Sequence, residues 1–359
     1  MNNKQLKTTN KLQNITKLFI LLSFTFLYSC STSFKQVSEE NNRYNLTSIE
    51  QLKNPKTVAE IEQFYNEGES GFFDGKSDVK IYYKIFKQKK NEKAAILIAS
   101  GRTEAAIKYK ELIFDLYNNG YSIYIHDHRG QGLSGRMAPN PDMGYIDTFQ
   151  FYIDDMKYFY DHMLKKQNHK KTYLLSHSMG GAISMTYLEQ NPNDFNAASF
   201  SSPMLGLPFG TCTAVKLLAG KEITYALGEG KYNDDKVAFE DNHLTGSKLR
   251  YKRMVDAFEK EPTAKLGGAT YQWVHRSCLQ FKYITEHINN IQTPFILFSA
   301  QNEQIVDTKA HQVLFDKAKK LGKDCKAYTV PDAQHELFIE KDKQRIETIN
   351  KTLDFFNKY

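Results

Sequence analysis

The hexapeptide Ser176-His177-Ser178-Met179-Gly180-Gly181 constrains this chain more than any other stretch, because of what flanks it. Before it, Lys171-Thr172-Tyr173-Leu174-Leu175 is a short apolar run with the length of a buried strand. After it, Ala182 to Asn191 carries a helical pattern that stops ahead of Pro192. A strand, a sharp turn with a central Ser and a helix make a nucleophile elbow. Such a turn lifts the hydroxyl clear of the sheet and sets the helix N-terminus beneath it. Gly180 and Gly181 suit that geometry, since a Cβ would collide where the helix passes behind the turn. The usual pattern has Gly two residues before the Ser; here Ser176, still small, stands there.

A Ser hydroxyl is a poor nucleophile near neutral pH and needs a base, with an acid to orient that base. In this architecture the chain order is Ser, then Asp or Glu, then His. Of the histidines after Ser178, His335 fits best: it follows the strand-like run Cys325 to Val330, in the turn Pro331-Asp332-Ala333-Gln334. His311 falls inside a helical pattern and His243 in a polar loop, so both read as surface or core residues. For the acid, Pro294 to Ser299 reads as the preceding strand, and its exit loop offers both Glu303 and Asp307. Glu303 is nearer the strand end and is preferred. Asp307 is the alternative, although before Thr308 it also reads as a helix N-cap. The oxyanion hole is expected from the amide of Met179 and that of Arg102. Arg102 follows Gly101 in the loop after the strand Ala94 to Ala99.

Several ordered motifs now coincide: Gly101-Arg102-Thr103-Glu104, the run Asp127-His128-Arg129-Gly130-Gln131-Gly132-Leu133-Ser134-Gly135, and the elbow itself. Gly267 to Trp273 and Ala333-Gln334-His335-Glu336 join them. Together they resemble the monoglyceride-lipase-like (serine aminopeptidase-like) α/β-hydrolases, and more narrowly the bacterial lysophospholipases of that group, from about Ser70 to the C-terminus. The resemblance implies an α/β-hydrolase fold, a mostly parallel central sheet with a helical lid or cap insertion. It places the nucleophile on Ser178, the base on His335 and the acid on Glu303. Two departures stand out: Ser100 replaces the His common before Gly101, and the acid is Glu where many relatives have Asp.

The formal charge of +7 does not point to nucleic acid, because Lys4, Lys7, Lys11 and Lys17 supply four of those charges and leave +3 for the rest. Those lysines lead into the apolar run Leu18 to Leu27, shorter than the roughly 20 residues of a usual spanning helix. It closes on Leu27-Tyr28-Ser29-Cys30, which resembles the lipobox of bacterial lipoproteins, although Tyr28 is bulky for it. Cys30 is then the expected lipidation site, with a cleaved ordinary signal or an uncleaved anchor as rivals. Ser31 lacks the Asp that can retain such proteins at an inner membrane, which leans towards an outer membrane in the bacterial envelope. Cys212, Cys278 and Cys325 show no metal-type spacing and are expected to be buried thiols.

The expected organisation is a signal peptide over 1–29, a polar tether and extension over 30–69, a first core segment over 70–202, a lid over 203–293 and a second core segment over 294–359. Phe149 to Lys165 is expected as a helix with Asp154 and Asp155 on its solvated or loop-facing side, and Asp127 and Arg129 as loop-shaping groups. The strand and helix alternation stops across the lid, where Leu205, Leu207, Phe209, Leu217, Leu218, Tyr225, Phe258, Tyr271 and Trp273 favour a lipidic substrate. The expected function is a membrane-tethered serine esterase, most closely a lysophospholipase, needing no metal or organic cofactor. Monoacylglycerol lipase, general carboxylesterase and transacylase activities are the alternatives within that class. A non-catalytic lipoprotein that binds lipid or a surface partner is the alternative outside it.

Overall fold

The computed structural model describes residues 41–232 and 238–359, together with the backbone of Lys35–Gln36. The signal segment and Cys30 lie outside the described residues. So do residues 233–237 of the lid.

Long apolar runs between turn residues give the strands. They are β1 (Lys35–Gln36), β2 (Glu69–Asp74), β3 (Lys80–Phe86), β4 (Ala94–Ala99), β5 (Tyr121–His126), β6 (Thr172–His177), β7 (Ala197–Ser201), β8 (Phe295–Ala300) and β9 (Cys325–Val330). They form one sheet in the order β1-β9-β8-β7-β6-β4-β5-β3-β2. The β2–β3 and β3–β5 pairs are antiparallel, and every other pair is parallel. Every residue of β4, β5, β7 and β8 is buried, as a parallel sheet covered on both faces requires.

The helices are α1 (Ile49–Leu52), α2 (Pro55–Glu67), α3 (Lys110–Asn118), α4 (Gln150–Phe159), α5 (Met179–Gln190), α6 (Thr211–Leu218), α7 (Lys248–Lys260), α8 (Tyr271–His287), α9 (Thr308–Lys320) and α10 (Asp342–Lys358). Alternate strand residues Ile96, Ile98, Ile123, Ile125, Leu175 and Phe298 cluster with Leu112 and Leu116 of α3 and Leu353 and Phe356 of α10. Their neighbours Leu97, Leu174 and Leu297 are equally buried on the other face. This is the α/β-hydrolase fold that the motifs imply.

The chain ahead of β2 is folded against this core. Leu46 is buried, and the amide and hydroxyl of Thr47 donate to Asp115 at 3.0 and 2.6 Å. Between β7 and β8, α6 and α7 lie in the expected lid span, whereas α8 is the crossover helix that returns the chain to the sheet. It buries Trp273, Val274, Phe281 and Ile284, and Gln280 donates to Thr186 of α5 at 2.6 Å.

Of the two placements expected for Asp155 the loop-facing one holds, and one expectation about the cysteines is overturned. Asp155 is not solvated: it is 1% exposed and accepts Arg129 Nε and Nη2 at 2.6 and 2.7 Å. A charge on the inner face of α4 is tolerated because a buried guanidinium, itself shaping the loop after β5, meets it with bidentate geometry. Nor are all three cysteines thiols: Cys212 of α6 and Cys278 of α8 form a disulfide, and only Cys325 is a buried free thiol among the described residues. The two partners are 66 residues apart, so sequence spacing carried no sign of the pairing. Among the described residues no helix is long and apolar enough to cross a membrane.

Candidate active site

Ser178 sits between β6 and α5 with φ 50° and ψ −119°, a backbone region that costs a non-glycine residue about 1–3 kcal/mol. Hydrogen bonds hold it there. Its amide donates to Ser201 O at 3.1 Å, and its carbonyl accepts the amides of Gly181 and Met204, each at 2.8 Å. A Cβ on Gly180 would stand 2.2 Å from the Ala99 carbonyl oxygen, and one on Gly181 would stand 2.4 Å from Pro203 Cβ. The two glycines therefore let α5 press against the ends of β4 and β7. Ser176, in the position usually held by Gly, is fully buried and donates to Ser199 O at 3.3 Å.

His335, in the loop after β9, brings Nε2 to 2.9 Å from Ser178 Oγ. Its Nδ1 lies 3.0 and 2.8 Å from the two carboxylate oxygens of Glu303, in the loop after β8. Because Glu303 can only accept, Nδ1 carries the proton and Nε2 is free to accept the Ser178 hydroxyl. Burial alone would raise the Glu303 pKa. The bond and charge of His335, with the amides of Ile305 and Val306, outweigh burial and hold the carboxyl below its usual range. Asp307 is elsewhere: it caps α9, accepting the Lys309 amide at 2.9 Å. His311 is a buried α9 residue between Ser299 Oγ (2.7 Å) and Pro203 O (2.6 Å).

The loop after β4 is clamped at several points. The Gly101 amide donates to Glu104 at 2.6 Å, and Gln131 Nε2 donates to Gly101 O and Glu104 O at 2.7 and 2.8 Å. Gln131 Oε1 also accepts the Thr103 amide at 3.2 Å. Among the described residues neither the Arg102 nor the Met179 amide donates to any group. An unengaged amide N–H is the kind of donor that a tetrahedral oxyanion accepts from.

Behind these loops lies a buried charged cluster whose members the motifs contain but do not reveal as a unit. Lys108 pairs with Glu104 and, at 2.6 Å, with Glu336; His177 Nε2 lies 3.1 Å from Glu336. Burial would strip the His177 proton, but the Glu336 and Glu104 charges outweigh it and raise its pKa. Glu336 is likewise held well below the carboxylate range despite burial, by His177 and Lys108. Glu104, His177 and Glu336 are spaced as three metal ligands would be. With the Lys108 ammonium ion-paired to both carboxylates, the cluster reads instead as charge-balanced support linking the loop after β4, the elbow and the His335 loop.

Ser178 and His335 open into a cavity of about 860 Å³, lined also by Arg102, Leu207, Val215, Leu218, Met254 and Phe258. Tyr271 and Trp273 line it as well, whereas Leu205 is buried in the core, and Phe209 and Leu217 face solvent. Tyr225 turns aside, its hydroxyl donating to Asp142 at 3.0 Å. The Gly267–Trp273 segment joins the lid to the core: Gly144 N donates to Gly268 O and Thr270 N to Gly144 O, each at 2.9 Å.

Residues 90–342 match the family described as Serine aminopeptidase, S33 (Hydrolase_4). Lysophospholipase L2 of Escherichia coli (strain K12) is 31% identical over 314 residues, covering 84% of this chain and 92% of that protein. Monoglyceride lipase of Homo sapiens is 24% identical over 250 residues, covering 69% and 78%. A solved structure of a soluble variant of monoglyceride lipase from Saccharomyces cerevisiae superposes with a TM-score of 0.64 at 22% identity, covering 81% of this chain and 94% of that one. The chain therefore belongs to the serine aminopeptidase S33 family of α/β-hydrolases.

Proposed function

We propose that this chain is a serine esterase that cleaves the carboxylic ester of lysophospholipids and releases a fatty acid. The observation that carries the reading is the relay from Ser178 through His335 to Glu303, opening into a cavity with an apolar wall. Ser178 Oγ attacks the ester carbonyl as His335 Nε2 takes its proton. Glu303 holds the imidazolium that forms, and the amides of Met179 and Arg102 receive the oxyanion. His335 then protonates the leaving alcohol. A water, deprotonated by the same nitrogen, releases the acyl group from Ser178. The lid span 203–293 supplies the acyl-chain wall and excludes water from the acyl-enzyme.

The similarity to lysophospholipase L2 supports lysophospholipids as substrates, and that to the monoglyceride lipases makes monoacylglycerols the second class. Attachment to the bacterial envelope through a lipid on Cys30 is part of the same reading. The bonded Cys212–Cys278 pair supports export, because disulfides persist in oxidising compartments. Metabolic labelling with a fatty-acid analogue tests the anchor: wild type is expected to be labelled and Cys30→Ser not.

Assay of purified protein against lysophospholipids, monoacylglycerols and short p-nitrophenyl esters tests the activity. Ser178→Ala and His335→Ala should each abolish nearly all turnover, with non-additive losses. Failure of a fluorophosphonate probe to label folded wild type would replace the esterase with a lipid-binding lipoprotein.

A further inference from the structure

The buried arginines of this protein are paired. Arg129 meets Asp155, Arg250 meets Glu111 and Asp342, and Arg345 meets Asp115. Arg102 differs. It lines the cavity with Ser178 and His335, yet its guanidinium forms no ion pair among the described residues. Nη2 donates to Gly267 O at 3.1 Å, the group lies over Trp273 at 5.0 Å, and the buried Nε has no partner. Glu229 is within Coulombic reach, but its carboxylate accepts the Ala269 amide at 2.8 Å. The result is a fixed, planar cation with donor capacity to spare, at the wall of a substrate cavity. Leaving such a cation unpaired is costly, and a ligand anion relieves the cost.

We propose that the Arg102 guanidinium receives the phosphodiester of a lysophospholipid while the amide of the same residue receives the ester oxyanion. The proposal rests on the esterase reading above. Chemistry supplies the spacing. From the ester carbonyl carbon of a 1-acyl lysophospholipid to its phosphorus there are as many bonds as from an arginine amide nitrogen to its guanidinium carbon. One residue thus spans both charges of the substrate's reacting end. The carbonyl of Gly267 and the ring of Trp273 hold the guanidinium plane. Monoacylglycerol, with a neutral hydroxyl where the phosphate would be, offers the guanidinium a single uncharged acceptor and no ion pair.

The test compares kcat/KM for a lysophosphatidylcholine and a monoacylglycerol of the same acyl chain. Arg102→Gln should lower the ratio of the two by about tenfold or more, chiefly through KM for the phospholipid, and Arg102→Lys should restore part of it. A ratio within about twofold of wild type, including equal losses on both substrates, overturns the proposal. A binding arm needs no turnover. In a Ser178→Ala background, Arg102→Gln should weaken binding of an alkylphosphocholine about tenfold, and unchanged affinity also overturns the proposal. A folded wild type that binds the alkylphosphocholine through Arg102 but hydrolyses neither substrate would refute the esterase reading, and with it the oxyanion half of the proposal.

Discussion

Glu303 and Asp307 leave the same loop four residues apart and divide its work: Glu303 turns both carboxylate oxygens to His335 Nδ1, and Asp307 caps α9. The separation follows from the turn between them. Glu303 Oε1 also accepts the amides of Ile305 and Val306 at 2.8 and 3.2 Å, which curls the loop around the carboxylate and carries Asp307 on to the helix start. Glu303→Gln should therefore lower kcat by orders of magnitude with little change in fold. Asp307→Asn, which keeps a capping oxygen, should cost well under about 1 kcal/mol and leave turnover intact. Steady-state kinetics of the two variants decide the matter, and the reverse ranking moves the orienting role to Asp307.

Gly180 meets backbone rather than a side chain that can swing away. An added Cβ would stand 2.5 Å from Ser100 O as well as against Ala99. Gly180→Ala should push apart the elbow and the oxyanion loop, costing about 1–3 kcal/mol and lowering kcat more than it raises KM. Wild-type kcat in a folded Gly180→Ala enzyme would show that the two loops do not depend on this contact.

The Arg129–Asp155 pair is 1% exposed at both ends, so removing one partner strands a buried charge. Asp155→Ala should destabilise by about 3–5 kcal/mol, while the fraction that folds keeps its activity because neither group lines the catalytic cavity. Chemical denaturation of wild type and variant measures the loss; a change below about 1 kcal/mol contradicts the pairing energy assumed here.

Acid should weaken the fold through histidines held neutral. Burial lowers His311 to about 4 despite the Pro203 carbonyl, and lowers His128 to about 4 despite the Ser100 carbonyl. Both titrate at 6.5 when free, so as pH falls from 6.5 towards 4 the unfolded chain takes up protons that the native chain refuses. The stabilisation is fully present above 6.5 and is lost as pH approaches the folded values. His177, raised by Glu336, works in the opposite sense: it favours the fold below 6.5 and loses that contribution as pH rises. His311→Gln should flatten the acid limb of a Tm-against-pH curve and leave the alkaline limb as in wild type. An unchanged acid limb would mean that His311 is protonated in the native state.

Much of this was legible from residues close together in sequence. The elbow could be read because the strand, turn and helix that define it occupy one short segment. The central strands β4, β5 and β8 could be read because a sheet covered on both faces leaves buried, mostly apolar runs such as Ala94 to Ala99. What could not be read depends on distant partners. An acidic residue in an amphipathic helix ordinarily faces water, and only the fold brings Arg129 to Asp155. Glu104 and Lys108, His177 at the end of β6, and Glu336 come from three separate stretches of the chain, so no periodicity or spacing marks them as one cluster.

The Cys212–Cys278 bond joins α6, whose Thr211, Ala214, Val215 and Leu218 form part of the cavity wall, to the crossover helix that is fixed to the sheet. Protein matured in a reducing cytosol and protein matured after export are consequently two different chemical species with the same sequence. Their catalytic centres would be alike, but the side of the cavity against which an acyl chain lies would be cross-linked in one and free to shift in the other. A chain-length preference measured on a preparation kept in thiol reductant therefore belongs to that preparation. Only material whose cysteines have been counted by mass reports how the enzyme selects lipids where it acts.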